Sequence, residues 1–133
     1  MSHLPVLFHS AVKVGGVYGS ADDRGLPRLE KVLSKLPDTI FIGHAMGSGQ
    51  RSPHLYGDLS AGSGFNAISR DPEYGYKFLE EFQDKLLFGT DICHVNQDVP
   101  IVPYLKNALK EGKISRTAFE KITRKNAEKV PNL

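Results

Sequence analysis

An α/β fold on a mainly parallel sheet is what this sequence predicts, and three observations carry the prediction. Three short apolar runs, Pro5-Val-Leu-Phe-His9, Thr39-Ile-Phe-Ile-Gly-His44 and Leu86-Leu-Phe-Gly-Thr-Asp91, each end on a residue able to bind a metal. A fourth run of similar length, His54-Leu-Tyr-Gly-Asp-Leu-Ser60, lies between the second and third. Amphipathic helical segments alternate with these runs in the order strand, helix, strand, strand, helix, strand, helix, helix, without an internal repeat. Parallel strands ending on one rim would gather His9, His44 and Asp91, as a barrel enzyme gathers its site.

Each element has a local reason. Leu4 to His9 is continuously apolar, as expected of an interior strand covered on both faces. Val12 to Gly25, with Gly15-Gly16 and Asp22-Asp23, reads as a loop able to overhang a site. Pro27 suits a first helical position, and Leu29, Val32, Leu33 and Leu36 fall at i, i+3, i+4 and i+7 before Pro37-Asp38 stops the pattern. Thr39 to His44 then leads into Ala45 to Pro53, which has breakers and no helical period. Nine residues are short for a parallel crossover, so the strands on either side are expected either to pair differently or to have lost a segment.

Ser60-Ala-Gly-Ser-Gly64 reads as a flexible turn; its Gly-x-Gly lacks the spacing and the Lys-Ser/Thr continuation of a phosphate loop. Asp71-Pro72-Glu73 is a helix start, followed by an apolar stripe of Tyr74, Phe78, Leu79 and Phe82. Gln83 to Lys85 turns the chain into Leu86 to Asp91. A helix near Pro100 to Lys110 uses Ile101, Tyr104, Leu105, Ala108 and Leu109. A last one from about Ser115 uses Ala118, Phe119, Ile122, Ala127 and Val130, with Gly112 between the two.

At 133 residues the chain has the size of one domain, 1–133, able to bury roughly two thirds of its unfolded surface. Its net charge of +2 comes from basic residues interleaved with acidic ones, as in Arg116 to Lys129, which reads as a solvated helix face rather than a phosphate-binding stripe and disfavours a nucleic-acid role. A single cysteine, Cys93, rules out an intramolecular disulfide framework, and next to His94 it reads as a small apolar filler rather than a thiol nucleophile. No apolar stretch approaches the roughly 20 residues that cross a bilayer. Met1-Ser-His-Leu-Pro5 lacks the basic start and apolar core of a secretory signal, so the expected location is cytoplasmic.

The strings Pro5-Val-Leu-Phe-His9, Leu26-Pro-Arg-Leu-Glu-Lys31, Phe41-Ile-Gly-His44, Leu55-Tyr-Gly-Asp-Leu-Ser-Ala61, Leu87-Phe-Gly-Thr-Asp91 and Lys125-Asn-Ala127 together resemble the C-terminal half of the amidohydrolase-related family of metal-dependent hydrolases. The resemblance implies part of a TIM (β/α)8 barrel, its fifth to eighth strands, over nearly the whole chain. It matches His9, His44 and Asp91 to metal ligands, with His44 contacting metal or substrate and Asp91 ligating or acting as general base. A divalent metal, zinc by donor type, is the implied cofactor. The implied reaction is attack of a metal-activated water on an amide, ester or lactone of a small-molecule substrate, or a related decarboxylation.

The family's first half, with a His-x-His pair on its first strand, has no counterpart in these 133 residues, and the sixth crossover helix is missing at Ala45 to Pro53. Half a barrel has two bare sheet edges and an open concave face. The expectation is completion by a homodimer or by a separate complementary half-barrel chain. The alternative is a catalytically inactive remnant serving as an oligomerising or partner-binding module.

For a lone strand-end histidine the ordinary role is a hydrogen bond to nearby backbone. His94 is a fourth candidate ligand. Asp58 is read as accepting hydrogen bonds from the Ser60 to Gly64 segment rather than as catalytic.

Overall fold

A four-stranded parallel sheet forms the centre of the computed structural model, which describes residues 4–9, 11–12, 21–22, 27–44 and 52–130. Its strands are β1 (Val6–Phe8), β4 (Phe41–Gly43), β5 (Leu55–Asp58) and β6 (Leu86–Leu87). A separate parallel pair joins β2 (Ala11–Val12) to β3 (Ala21–Asp22), so the loop expected from Val12 to Gly25 contains a strand; residues 13–20 and 23–26 lie outside the described residues. The larger sheet is open, with β1 and β6 at its edges. A partial TIM barrel is the architecture that results.

The register decides what meets at the rim. Phe8 pairs with Gly43 and Gly43 with Gly57, so His9, His44 and Asp58 follow in one row just past the ladder. Asp58 in turn pairs with Leu87. The short link before β5 does not prevent parallel pairing, since Phe41 opposes Leu55; most of that link, residues 45–51, lies outside the described residues.

Alternate residues serve opposite faces of the sheet. On the helix side, Phe41 and Leu55 pack with Leu29 of α1 (Pro27–Lys35). Farther along that face Leu59 and Leu86 enter the main core with Ile68, Leu79, Leu105 and Ile122. On the concave side, Ile42 and Leu87 pack with Val130.

Three expectations need correction. First, β1 is not an interior strand: Leu4, Val6 and Leu7 are 64%, 43% and 62% exposed, because β1 is an edge with its concave side uncovered. Second, the presumed flexible turn after Ser60 is the first turn of a helix, α2 (Ala61–Ser69). Ala-Gly-Ser-Gly is a weak helix former, and packing overrides that weakness. A Cβ on Gly64 would lie 2.5 Å from the Leu59 carbonyl oxygen, and one on Gly75 of α3 (Pro72–Glu81) would lie 1.8 Å from the Ile68 carbonyl oxygen. Helix α2 therefore forms where glycine lets backbone touch backbone.

Third, the last helix is not uniform. Ser115 caps α5 (Arg116–Glu120) by accepting from the Ala118 N–H; a π-helical turn, Lys121–Lys125, and α6 (Asn126–Lys129) follow. Within the wider turn the Asn126 N–H bonds to the Lys121 carbonyl, and the Ile122 carbonyl accepts from Phe88 at 2.9 Å, tying this helix to the end of β6. Ala118 and Ile122 are its buried anchors, while Phe119 is only half-buried. The helix starts at Asp71-Pro72 and near Pro100 stand as expected, the first capped by Asp71 accepting from the Tyr74 N–H and the second opening α4 (Ile101–Lys110). Tyr74 and Val32, placed on apolar stripes, are 56% and 41% exposed.

Candidate functional site

The C-terminal ends of parallel strands share one rim, and here that rim collects the polar residues. His44, the residue after β4, is the centre. Its Nδ1 lies 3.0 Å from Asp58 Oδ2 and 3.1 Å from Ser60 Oγ. Its Nε2 lies 3.9 Å from Asp91 Oδ2. The His9 ring stands edge-on to the His44 ring, with centroids 4.3 Å apart. The side chains of His44 and Asp58 are mostly covered, 13% and 15% exposed, whereas that of Asp91 is 44% exposed and His9 is exposed. One face of the imidazole system is thus packed into protein and the other is open.

Asp91 reaches this position through an unusual backbone. Its φ is +53°, a left-handed conformation that aspartate tolerates better than most residues. Gln97 braces the loop: its Nε2 donates to the Asp91 carbonyl at 2.8 Å, and its Oε1 accepts from the Cys93 N–H at 2.8 Å. Cys93 and His94 are exposed in this loop. The thiol contacts the Asp91 carbonyl at 3.5 Å instead of filling an apolar gap, and so differs from its sequence reading.

Ser, His and Asp meet here without forming a nucleophilic triad. Such a triad sets the carboxylate and the hydroxyl on opposite ring nitrogens, but Asp58 and Ser60 both face Nδ1, and Ser60 is 3% exposed. The chemistry available to a bound molecule therefore lies on the Nε2 side, between His44 and Asp91.

Two imidazoles and a carboxylate are the donor types of a zinc site. Two donors of one tetrahedral zinc stand about 3.4 Å apart, close to the separation of His44 Nε2 and Asp91 Oδ2. Among the described residues, however, no three side chains converge on one metal position. The donor set is right in kind and one short in geometry.

Below this cluster the concave face forms an open hollow of about 390 Å³, lined by Leu4, Leu7, Ile42, Leu87 and Phe88 with Asp58 as its polar wall. A larger hollow of about 820 Å³ lies on α3, lined by Tyr76, Lys77, Glu80 and Glu81; it holds none of the rim residues and is solvated by charge.

A family model described as amidohydrolase matches residues 3–131, nearly the full chain. The chain belongs to the amidohydrolase family. No curated protein and no solved structure matches it. Family membership makes it a member of a hydrolase family, and the parallel strands with helices agree with that family's barrel architecture. Among the described residues no helix is long and apolar enough to cross a membrane.

Of the residues singled out in the sequence, the structure sets His44 beside His9 and 3.9 Å from Asp91, and leaves His94 exposed. Asp58 does accept from the Ser60 N–H, at 2.6 Å, as its sequence reading has it. That reading missed the contact with His44. The signal was present: Gly43-His44 and Gly57-Asp58 are matching Gly-polar endings on neighbouring strands, and aligning them sets His44 beside Asp58.

Proposed function

We propose that this amidohydrolase-family chain is a hydrolase of small esters, lactones or amides, with His44 and Asp91 as its reacting pair. The observation that supports this most is the placement of His44, with Nδ1 occupied by Asp58 and Nε2 turned toward Asp91 at the open rim. A water held between Asp91 Oδ2 and His44 Nε2 gives a proton to Nε2 as its oxygen bonds to the carbonyl carbon. The bond from that carbon to the leaving oxygen or nitrogen then breaks, and the proton passes from Nε2 to the departing atom. Asp58 behind the ring balances the transient imidazolium charge. The apolar hollow beside Asp58 favours a substrate with an apolar body over a highly charged one.

A divalent metal, zinc on donor chemistry, would be held by His9, His44 and Asp91 once the three converge, and would then occupy the Nε2 lone pair that accepts the proton in the metal-free route. It would supply a water acidified to a pKa of about 7. The steps above are carried by the chain's own groups. The bare β1 edge, with Leu4, Val6 and Leu7 exposed, is the surface at which a second copy would complete the sheet.

A second reading, a non-catalytic half-barrel that binds partners, draws on one observation: among the described residues three metal-ligating side chains do not converge. Assaying a panel of aryl esters, lactones and anilides with zinc and with chelator separates the two. Turnover that disappears in His44→Gln supports the hydrolase. No turnover under either condition, from a protein that stays folded and associated, favours the binding module.

A further inference from the structure

We infer that Asp58 is a positioning residue that fixes the tautomer of His44, holding the proton on Nδ1 so that the Nε2 lone pair faces Asp91. The inference rests on the hydrolase reading for its purpose, since it explains why Nε2 can accept a proton there.

The argument runs through the hydrogen-bond inventory of each group. An ionised carboxylate only accepts. Asp58 uses Oδ1 to accept from the Ser60 N–H at 2.6 Å, which leaves Oδ2, 3.0 Å from His44 Nδ1, to accept from that nitrogen. Nδ1 must then carry hydrogen, and in the neutral ring Nε2 is bare. Ser60 Oγ, at 3.1 Å from the same Nδ1, is able to donate or accept and so does not set the tautomer alone. With Oδ1 anchored on Ser60, the carboxylate has one orientation. The pair is also wedged from behind: a Cβ on Gly89, in the segment leading from β6 to Asp91, would lie 2.9 Å from Ser60 Cβ and 3.5 Å from Asp58 Oδ1. The segment that carries Asp91 therefore packs against the two residues that orient His44, and both sides of the reacting pair share one support.

The near-isosteric Asp58→Asn makes a sharp test. The Ser60 N–H selects the carbonyl oxygen of the new amide, so the NH2 group falls on His44 Nδ1 and donates to it, which requires hydrogen on Nε2. Long-range proton–nitrogen correlation spectra of labelled protein at alkaline pH, where imidazole is neutral, report which ring nitrogen carries hydrogen; His44→Gln assigns the signals.

The expected result is the Nδ1–H form in the unchanged protein, inversion to Nε2–H in Asp58→Asn, and retention of Nδ1–H in Ser60→Ala. Gly89→Ala, which keeps every polar group but crowds Ser60, is expected to give a mixture of the two forms. An Nε2–H form in the unchanged protein, or Nδ1–H surviving in Asp58→Asn, overturns the inference. The spectra need no substrate, so failure of the hydrolase reading, seen as absent turnover with the tautomers as expected, is distinguishable from failure of this one.

Discussion

The two edges of the sheet are built differently. At β6, the Phe88 N–H is held by the Ile122 carbonyl, and Asn126, fully buried, donates from Nδ2 to the carbonyls of Gln83 and Leu86 at 2.6 and 2.9 Å. At β1, the outermost strand shows Val6 and Leu7 to solvent, and α1 buries only Leu29. The candidate site straddles this difference. His9 follows the exposed edge strand, while His44 and Asp58 stand at the ends of the two central strands, β4 and β5. The His44–Asp58 pair is thereby held by the packed centre of the sheet, and His9 is the site residue that follows the exposed edge.

Substitutions in the packed part should cost most. Leu79, 0% exposed in the main core, should lose about 4 kcal/mol as Leu79→Ala. Chemical denaturation measures it, and a loss under 1 kcal/mol would mean that this core is not the stabilising one. Next comes Asn126→Ala, which strips two backbone carbonyls of their donor and should cost about 2–3 kcal/mol. A cost near zero would show that the β6 edge is held by packing alone.

The bare side should behave in the opposite way. Leu7→Ala should change the stability of the isolated chain by less than about 0.5 kcal/mol. If a second copy covers this edge, light scattering should give twice the chain mass for the unchanged protein and a single chain mass for Leu7→Asp. A single chain mass in both would remove the self-completion proposal and leave the fold intact.

The smallest effect concerns an exposed pair. Lys125 Nζ donates to Glu120 Oε2 at 2.6 Å, and that hydrogen bond, followed by the ammonium charge, holds the Glu120 carboxyl below its ordinary value of 4.5. A depressed folded value stabilises above the ordinary pKa, and the contribution fades as pH falls through the lowered one. The melting midpoint of Glu120→Gln should therefore lie slightly below that of the unchanged protein at neutral pH and coincide with it in acid. A gap that widens in acid would reverse the assignment.

Much of this architecture was legible in the residues because strand ends carry their own signature. His9 and His44 each close an apolar run, and parallel register then sets them side by side; Asp91 comes near His44 through the loop after β6. The cap at Asp71 and the helix start near Ser115 were equally legible, since a side-chain oxygen precedes an apolar period at each. Helix α2 was not, because Ala61 to Gly64 has poor intrinsic propensity, and the close backbone approaches at Gly64 and Gly75 that accompany it cannot be seen without the fold. The exposure of β1 was hidden for a related reason: a continuous apolar run does not say whether the partner that would cover it lies on the same chain. Asp58 was half-read, because its local bond to Ser60 can be seen in sequence and its cross-strand bond to His44 requires the register.

The most direct measurement is the hydrolysis rate on the best substrate of the ester, lactone and anilide panel, before and after Asp91→Asn at constant pH. The exchange keeps the side chain's shape while removing its charge. If Asp91 and His44 are the reacting pair, the rate falls about 10²-fold or more while the melting midpoint stays in place. An unchanged rate in a folded Asp91→Asn protein would contradict the assignment and move the chemistry, if the chain performs any, away from this rim.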